Sequence, residues 1–203
     1  LVTYNNHFNT AVGIRNLSKL KLAFDCDMMT MSVNPKTVRR ITRETLLQKG
    51  SIYWQSIAGQ TVFPVQIACN LKIPLIIWGE NSQNEYGGPA SASQNSVLNR
   101  RWLEEFGGLL GLRVSDLTDN YGIREADLVP YTYPTDAELA SVGVTGLFLG
   151  YYFPWEGFTN YSLAQAHGFT SYGRVIEGSV VDYENLDNHQ TGIHDYFKFL
   201  KFL

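Results

Sequence analysis

The chain opens on a short β-prone run, Leu1-Val2-Thr3-Tyr4, which Asn5-Asn6 breaks. From Asn9 the apolar positions change period, and Ile14, Leu17, Leu20 and Phe24 fall on one helical face. Met28 to Val33 is a second short apolar run. Asn34-Pro35 then places a capping side chain before a first-turn proline, and Gly50 supplies a stop, so a helix is predicted between them. Residues 61–71 predict a buried helix with Pro64 near its start. Ile73 to Trp78 is a continuous apolar run, the pattern of a parallel strand covered on both faces. Residues 79–96 are rich in Gly, Ser and Asn, and a helix follows with Leu98, Trp102 and Phe106 spaced by four. Residues 111–145 mix short helical patterns with a Pro130-Tyr131-Thr132-Tyr133-Pro134 turn. Gly146 to Phe153 reads as a further buried strand, 159–168 as a helix, 169–188 as loop or edge structure, and 189–203 as a final amphipathic helix.

Strand, helix, strand, helix, helix, strand is the alternation of an α/β sheet with right-handed crossovers. In such sheets ligands bind beyond the carboxyl ends of the strands. Two segments sit there: Asn5-Asn6-His7-Phe8 and Gly79-Glu80-Asn81.

Composition narrows the class. With 203 residues, 44% hydrophobic and 17% charged, the chain has ample apolar surface for a core, which excludes disorder, coiled coil and collagen-like repeats. Cys26 and Cys69 are too few for a disulfide framework or a four-thiolate zinc site, and reduced intracellular thiols are expected. Residues 50–71 carry no charge, yet Gln55, Gln60, Gln66, Asn70 and Pro64 argue against a membrane span. The chain opens on no secretory signal pattern, begins at Leu1 inside a strand-like run, and reads as an excerpt of something longer. A net charge of −3 argues against a general nucleic-acid binder, but it hides an asymmetry. Residues 1–50 carry eight Lys/Arg against three Asp/Glu, and residues 51–203 carry eight against sixteen. An anion site is therefore expected to draw on the first part.

The densest polar constellation runs from Trp78 through Glu80, Asn81 and Glu85 to Gly88. Gly87-Gly88 permits close backbone approach to a ligand, and Glu80 at a strand end suits Mg²⁺ or a substrate group. A solvated turn accounts for the same residues equally well. His7 at the end of the first strand suits adenine or ribose, and a capping or core imidazole is its structural alternative. Lys36, Arg39, Arg40 and Arg43 form one helical stripe, for which a solvated face is the default and steering of a phosphorylated or acidic partner the alternative. Residues 172–195 gather Arg174, Glu177, Asp182, Glu184, Asp187, His189, His194 and Asp195, but the spacing of His189 and His194 does not place both on one helix face. Neither a Walker phosphate loop, nor a dinucleotide fingerprint, nor a nucleophile elbow occurs.

At "IPLIIWGENSQNEYGG" the chain resembles the N-acetyl sugar amidotransferases of surface-polysaccharide and flagellin-sugar synthesis, members of the PP-loop ATPases within the adenine-nucleotide α-hydrolase-like group. The likeness continues through "LVTYNNHFNTAVGIRNL", "FPVQIA", "LGYYFPWEGFTNYSLAQAHGF" and "EGSVVDYENLDNHQTGIHDYFKFLKF", in order along nearly the whole chain. The resemblance implies a three-layer fold of the HUP type, a mostly parallel sheet with helices on both faces. Residues 1–110 would form the partial PP-loop core, and 111–203 a continuation that adds a further strand and substrate-side helices. It implies an ATP-dependent, cytoplasmic carbon–nitrogen ligase that converts a sugar acetamido group to acetamidino through an adenylated intermediate. Its cofactors would be ATP and Mg²⁺, its substrate a free or nucleotide-linked N-acetyl sugar, and its partner a glutaminase subunit that supplies ammonia.

Carried over position by position, Asn5, Asn6, His7, Phe8 and Gly79 would face the nucleotide. Glu80, Asn81 and Glu85 would act near the α-phosphate and the activated amide. Tyr86, Gly87, Gly88, Trp155, Glu177 and Asp187 would meet the sugar. Three departures stand out: the family's Ser-Gly-Gly-x-Asp-Ser phosphate loop and its strand are expected upstream of Leu1, Tyr53-Trp54-Gln55-Ser56 replaces an expected cysteine pair, and the chain stops at Phe202-Leu203 inside a family segment that would continue. On this reading the chain by itself does not turn over ATP. A non-catalytic relative that binds a nucleotide or a partner is the alternative, followed by another PP-loop enzyme such as a tRNA-modifying thiolase.

Overall fold

A computed structural model describes residues 1–79, 109–176, 179–193 and 196. Strand β1 (Val2–Asn5) pairs in parallel with β2 (Met29–Ser32), Val2 opposite Met29 and Asn5 opposite Ser32. Parallel neighbours need a crossover, which helix α1 (Ala11–Ala23) supplies. Helix α2 (Pro35–Lys49) begins where the Asn34 side chain accepts from the Lys36 amide and ends at left-handed Gly50 (φ 64°), as the capping residues predict. Helix α3 (Trp54–Leu71) leads into β3 (Leu75–Trp78). Beyond residue 108 come α4 (Val114–Asp119), α5 (Glu125–Leu128) with a 3₁₀ turn at Val129–Tyr131, α6 (Asp136–Val142), β4 (Thr145–Phe148) with a 3₁₀ turn at Leu149–Tyr151, and α7 (Gly157–Ala166). Strands β3 and β4 form a second parallel pair, Trp78 opposite Phe148. The described residues are thus a mixed α/β structure with two parallel strand pairs.

Helix α3 is the packing centre. It lies against β1, and Tyr4 crosses it where Gly59 leaves room: a Cβ there would overlap the Tyr4 ring. Trp54, Tyr131, Ile41, Leu117 and Leu128 are fully or almost fully buried around this contact. The Trp54 indole donates to the Leu112 carbonyl (3.2 Å) and its ring tilts against Tyr131, centroids 6.0 Å apart. Within this apolar set runs a directed polar chain. Gln55 Nε2 donates to Ser56 Oγ (2.7 Å), which fixes the amide and presents its Oε1 to the Tyr4 hydroxyl (2.7 Å). With its own proton spent on Gln55, Tyr4 can only accept from the Tyr131 hydroxyl, 2.7 Å away. One line of three hydrogen bonds therefore joins β1, α3 and the turn at 129–131.

Several expectations change. Helix α3 starts at Trp54, well before residue 61, and encloses Pro64 rather than beginning with it. Its first turns are buried on all sides, so no amphipathic period marks them. Strand β3 is not covered on both faces: Leu75 is 48% and Ile77 63% exposed. The apolar stripe of α1 is likewise open, with Ile14, Leu17, Leu20 and Phe24 all exposed and no residue of α1 buried. The β4 strand stops at Phe148, where the chain turns into 3₁₀ geometry. The α2 stripe of Lys36, Arg39, Arg40 and Arg43 is solvent-facing, and Arg40 is tied to the Gly122 carbonyl at 2.9 Å. Helix 98–106 and most of helix 189–203 lie outside the described residues; Thr191 to Ile193 is helical. No helix among the described residues is long and apolar enough to cross a membrane, and Cys26 and Cys69 are free thiols.

The polar chain predicts an asymmetry between its ends. Removing the Tyr131 hydroxyl costs one donor to an oxygen that keeps its other bond, whereas removing the Tyr4 hydroxyl strands both Gln55 Oε1 and Tyr131. Urea unfolding should show Tyr4→Phe losing about 2–4 kcal/mol and Tyr131→Phe about 1 kcal/mol, from the net worth of a hydrogen bond and the larger cost of an unpaired buried group. Equal losses would contradict the directed chain. Burial also pushes both phenols up, Tyr131 to about 12 despite its bond to Tyr4, against an ordinary 10.0. A group whose folded value is raised lends its full stability below the unfolded value and loses it as pH climbs toward the folded one. Stability should therefore fall from pH 10 toward pH 12, less steeply in the Tyr4→Phe/Tyr131→Phe variant, as read by urea midpoints across that range.

Candidate functional site

Strands β1 and β2 end side by side, and three asparagines shape the loop that follows. Asn5 Oδ1 accepts from the His7 amide (2.9 Å) and from Asn9 Nδ2 (3.0 Å), while its Nδ2 donates to Ser32 Oγ across the pair (3.1 Å). Asn6, 4% exposed, accepts from the Phe8 amide (2.9 Å). Two successive Asx turns thus break the strand and carry His7 into left-handed geometry (φ 66°). The His7 ring turns back, and its Nε2 lies 2.6 Å from the Val33 carbonyl at the end of β2. A carbonyl only accepts, so Nε2 bears the proton and Nδ1 of the neutral ring is left as an acceptor.

A distant segment closes over this loop. The Thr10 amide donates to the Asp187 carbonyl and the His189 amide to the Phe8 carbonyl, both 2.8 Å, around an antiparallel bridge of Asn9 with Asn188. Thr10 Oγ1 caps α1 by accepting from the Gly13 amide (3.0 Å) and donates to the Leu186 carbonyl (2.5 Å). Gly13 admits this backbone: a Cβ would stand 2.8 Å from the Asp187 Cα and carbonyl oxygen. Tyr53 hydrogen-bonds to Asn188 Oδ1 from the other side.

Beside the junction lies a cavity of about 400 Å³ that Thr10, Tyr172, Arg174, Asn188, His189 and Thr191 help to line. Arg174 is exposed, stacked over the Tyr172 ring (4.7 Å to its centroid) and donating to the Tyr172 hydroxyl (2.7 Å).

The ends of β3 and β4 form a second locus. Gly79 follows Trp78 into open space, and the Trp78 indole nitrogen is buried with no acceptor among the described residues. From the neighbouring end of β4 come Tyr151, Tyr152, Phe153 and Trp155, each more than half exposed. Glu156 then caps α7, accepting from the Phe158 (3.2 Å) and Thr159 (2.6 Å) amides, and these bonds hold its carboxyl below the usual range.

Of the positions selected from sequence, Asn5, Asn6, His7 and Phe8 form one loop, and Asp187 meets the chain just beyond it, its backbone carbonyl accepting from the Thr10 amide. Gly79 and Trp155 come off adjacent strand ends. Glu80, Asn81, Glu85, Tyr86, Gly87, Gly88 and Glu177 lie outside the described residues. Trp54, Gln55 and Ser56, where the resemblance expects cysteines, are fully buried and serve packing and the polar chain. Among the described residues, no three His, Cys, Asp or Glu side chains converge to hold a metal ion. Tyr172 was not singled out from sequence: a tyrosine two residues before an arginine carries no local signal, and only folding brings both against residues 185–193. No protein-family model matches the chain, and no curated protein matches it.

The junction predicts a specific sensitivity at Gly13, whose backbone an ordinary helical residue would otherwise suit. Gly13→Ala should lower stability by roughly 1–3 kcal/mol, the range for overpacking a tight contact, and should raise hydrogen exchange at the Thr10 and His189 amides together. A Gly13→Ala chain more stable than the parent, as simple helix propensity would make it, would refute the close approach.

Proposed function

We propose that the chain belongs to an ATP-dependent amidotransferase acting on an N-acetyl sugar, with the nucleotide at the carboxyl ends of the parallel strands. The observation that carries the reading is the loop Asn5 to Phe8. It stands at the end of a parallel pair, is locked by its own asparagines, and leaves the His7 Nδ1 acceptor and the Phe8 ring uncommitted among the described residues. An acceptor beside an aromatic face suits an adenine, which offers an exocyclic amine and a π-surface. The Trp78 indole N–H at the end of β3, without an acceptor among the described residues, adds a donor at the corresponding place on the second pair. We further propose that both pairs belong to one sheet with helices on both faces, the three-layer HUP arrangement, and that the protein works in the cytoplasm.

In the proposed reaction the acetamido oxygen attacks the α-phosphorus of ATP and pyrophosphate leaves. Ammonia from a glutaminase partner then attacks the imidate carbon, and AMP departs with the former amide oxygen. An amide is a poor electrophile, and adenylation supplies the leaving group it lacks. Asn5, Asn6, His7, Phe8 and Gly79 would hold the nucleotide, Glu80, Asn81 and Glu85 would serve the reacting centre, and Trp155 would offer an exposed ring to the sugar. Mg²⁺ would fall to the carboxylates of Glu80 and Glu85.

Titration of AMP against the chain, followed by tryptophan fluorescence, tests the nucleotide end of this reading. Saturable binding is expected, and Phe8→Ala should weaken it by roughly 5- to 150-fold, the equivalent of ~1–3 kcal/mol of base stacking. Non-saturating fluorescence, or an affinity that Phe8→Ala leaves unchanged, would overturn it.

A further inference from the structure

We propose that the cavity between Thr10 and residues 172–193 binds a small organic phosphate, independently of the nucleotide loop. The cavity is bordered by an excess of hydrogen-bond donors. Asn188 Oδ1 already accepts from Tyr53, from the Gln190 amide (2.9 Å) and from Thr191 Oγ1 (3.1 Å), so the unspent capacity of its amide is the NH₂ group. The Tyr172 hydroxyl accepts from Arg174 and keeps its own proton to give. The Arg174 guanidinium makes no ion pair among the described residues, and Tyr172 holds it in place by stacking and hydrogen bonding. His189 is anchored by its backbone amide, which leaves the imidazole ring free of any partner among the described residues.

Four donor groups, one of them the Arg174 guanidinium, therefore border one space, and no described carboxylate is among its lining residues. This is the reverse of the surrounding sequence, since residues 51–203 carry twice as many acidic as basic side chains. A guanidinium fork beside an imidazole, an amide and a phenol matches the three terminal oxygens of a phosphate monoester better than the two of a carboxylate. The cavity, about 400 Å³, is larger than a bare phosphate requires and falls within the ~300–1,000 Å³ typical of small-molecule sites. Val175, Ile176 and Ile193 supply an apolar wall for the body of the ester. The site is thus built for a phosphate monoester carrying a body of about sugar size.

The test is a calorimetric titration of the full chain with glucose 1-phosphate, inorganic phosphate and glucuronate. Glucose 1-phosphate should bind saturably and more tightly than either other probe. Arg174→Gln should weaken it about tenfold or more, whereas Arg39→Gln, which removes another exposed cation, on α2, should leave it unchanged. The AMP titration reads a different ligand through different side chains, so its failure and a failure here are separate results. Arg174 is exposed, and unaltered circular dichroism would show that its variant is folded. Absence of saturable binding, glucuronate binding at least as tightly, or equal effects of Arg174→Gln and Arg39→Gln would each overturn the proposal.

Discussion

The line of hydrogen bonds from Tyr131 through Tyr4 to Gln55 is the constraint on which the arrangement of β1 depends. Each of its members is buried in an apolar surround, where an unpaired polar group costs about 1–3 kcal/mol and so cannot be tolerated in numbers. The chain also has a direction. Ser56 orients Gln55, Gln55 orients the Tyr4 proton, and Tyr4 then admits only a donor from Tyr131. Gly59 permits the ring of Tyr4 to lie against α3 at all. A strand of four residues is thereby seated at a fixed depth and register on a helix of eighteen, and the loop that follows it inherits that position.

The second constraint acts at the other side of that loop. Residues 186–189 add an antiparallel contact to residues 8–10, and the capping hydroxyl of Thr10 serves both α1 and this distant backbone. The candidate nucleotide loop and the donor-rich cavity therefore share a wall. Charge follows the same division. Five of the eight basic residues of the first fifty lie on α2, while the cationic side chain of the cavity, Arg174, comes from the acidic part of the chain. To the proposed cavity the basic N-terminal part contributes only Thr10, an uncharged residue.

What was legible in the sequence was local. Asn34, Pro35 and Gly50 bounded α2 because capping and left-handed termination are written in single residues. Asn5-Asn6 ended β1 because asparagine side chains offer the backbone a turn. Thr135 and Glu138 form a reciprocal capping box for α6 that the mixed pattern of 111–145 concealed, and the Thr135 hydroxyl and amide hold the Glu138 carboxyl below its usual range. The opening turns of α3 were illegible because burial on every side erases amphipathic contrast. The exposure of β3 was illegible for a related reason: a continuous apolar run states that a strand can be covered on both faces, not what covers it. The Thr10–Leu186 contact joins positions 176 residues apart, beyond the reach of any pattern in a window.

The most direct test of the functional account is a crystal structure of the chain with a non-hydrolysable ATP analogue. The account predicts the adenine against the Phe8 ring, its exocyclic amine toward His7 Nδ1 beyond the end of β1. Adenine seated instead in the apolar cavity between α1 and α7, among Leu20, Phe24, Leu163 and Phe169, would contradict it.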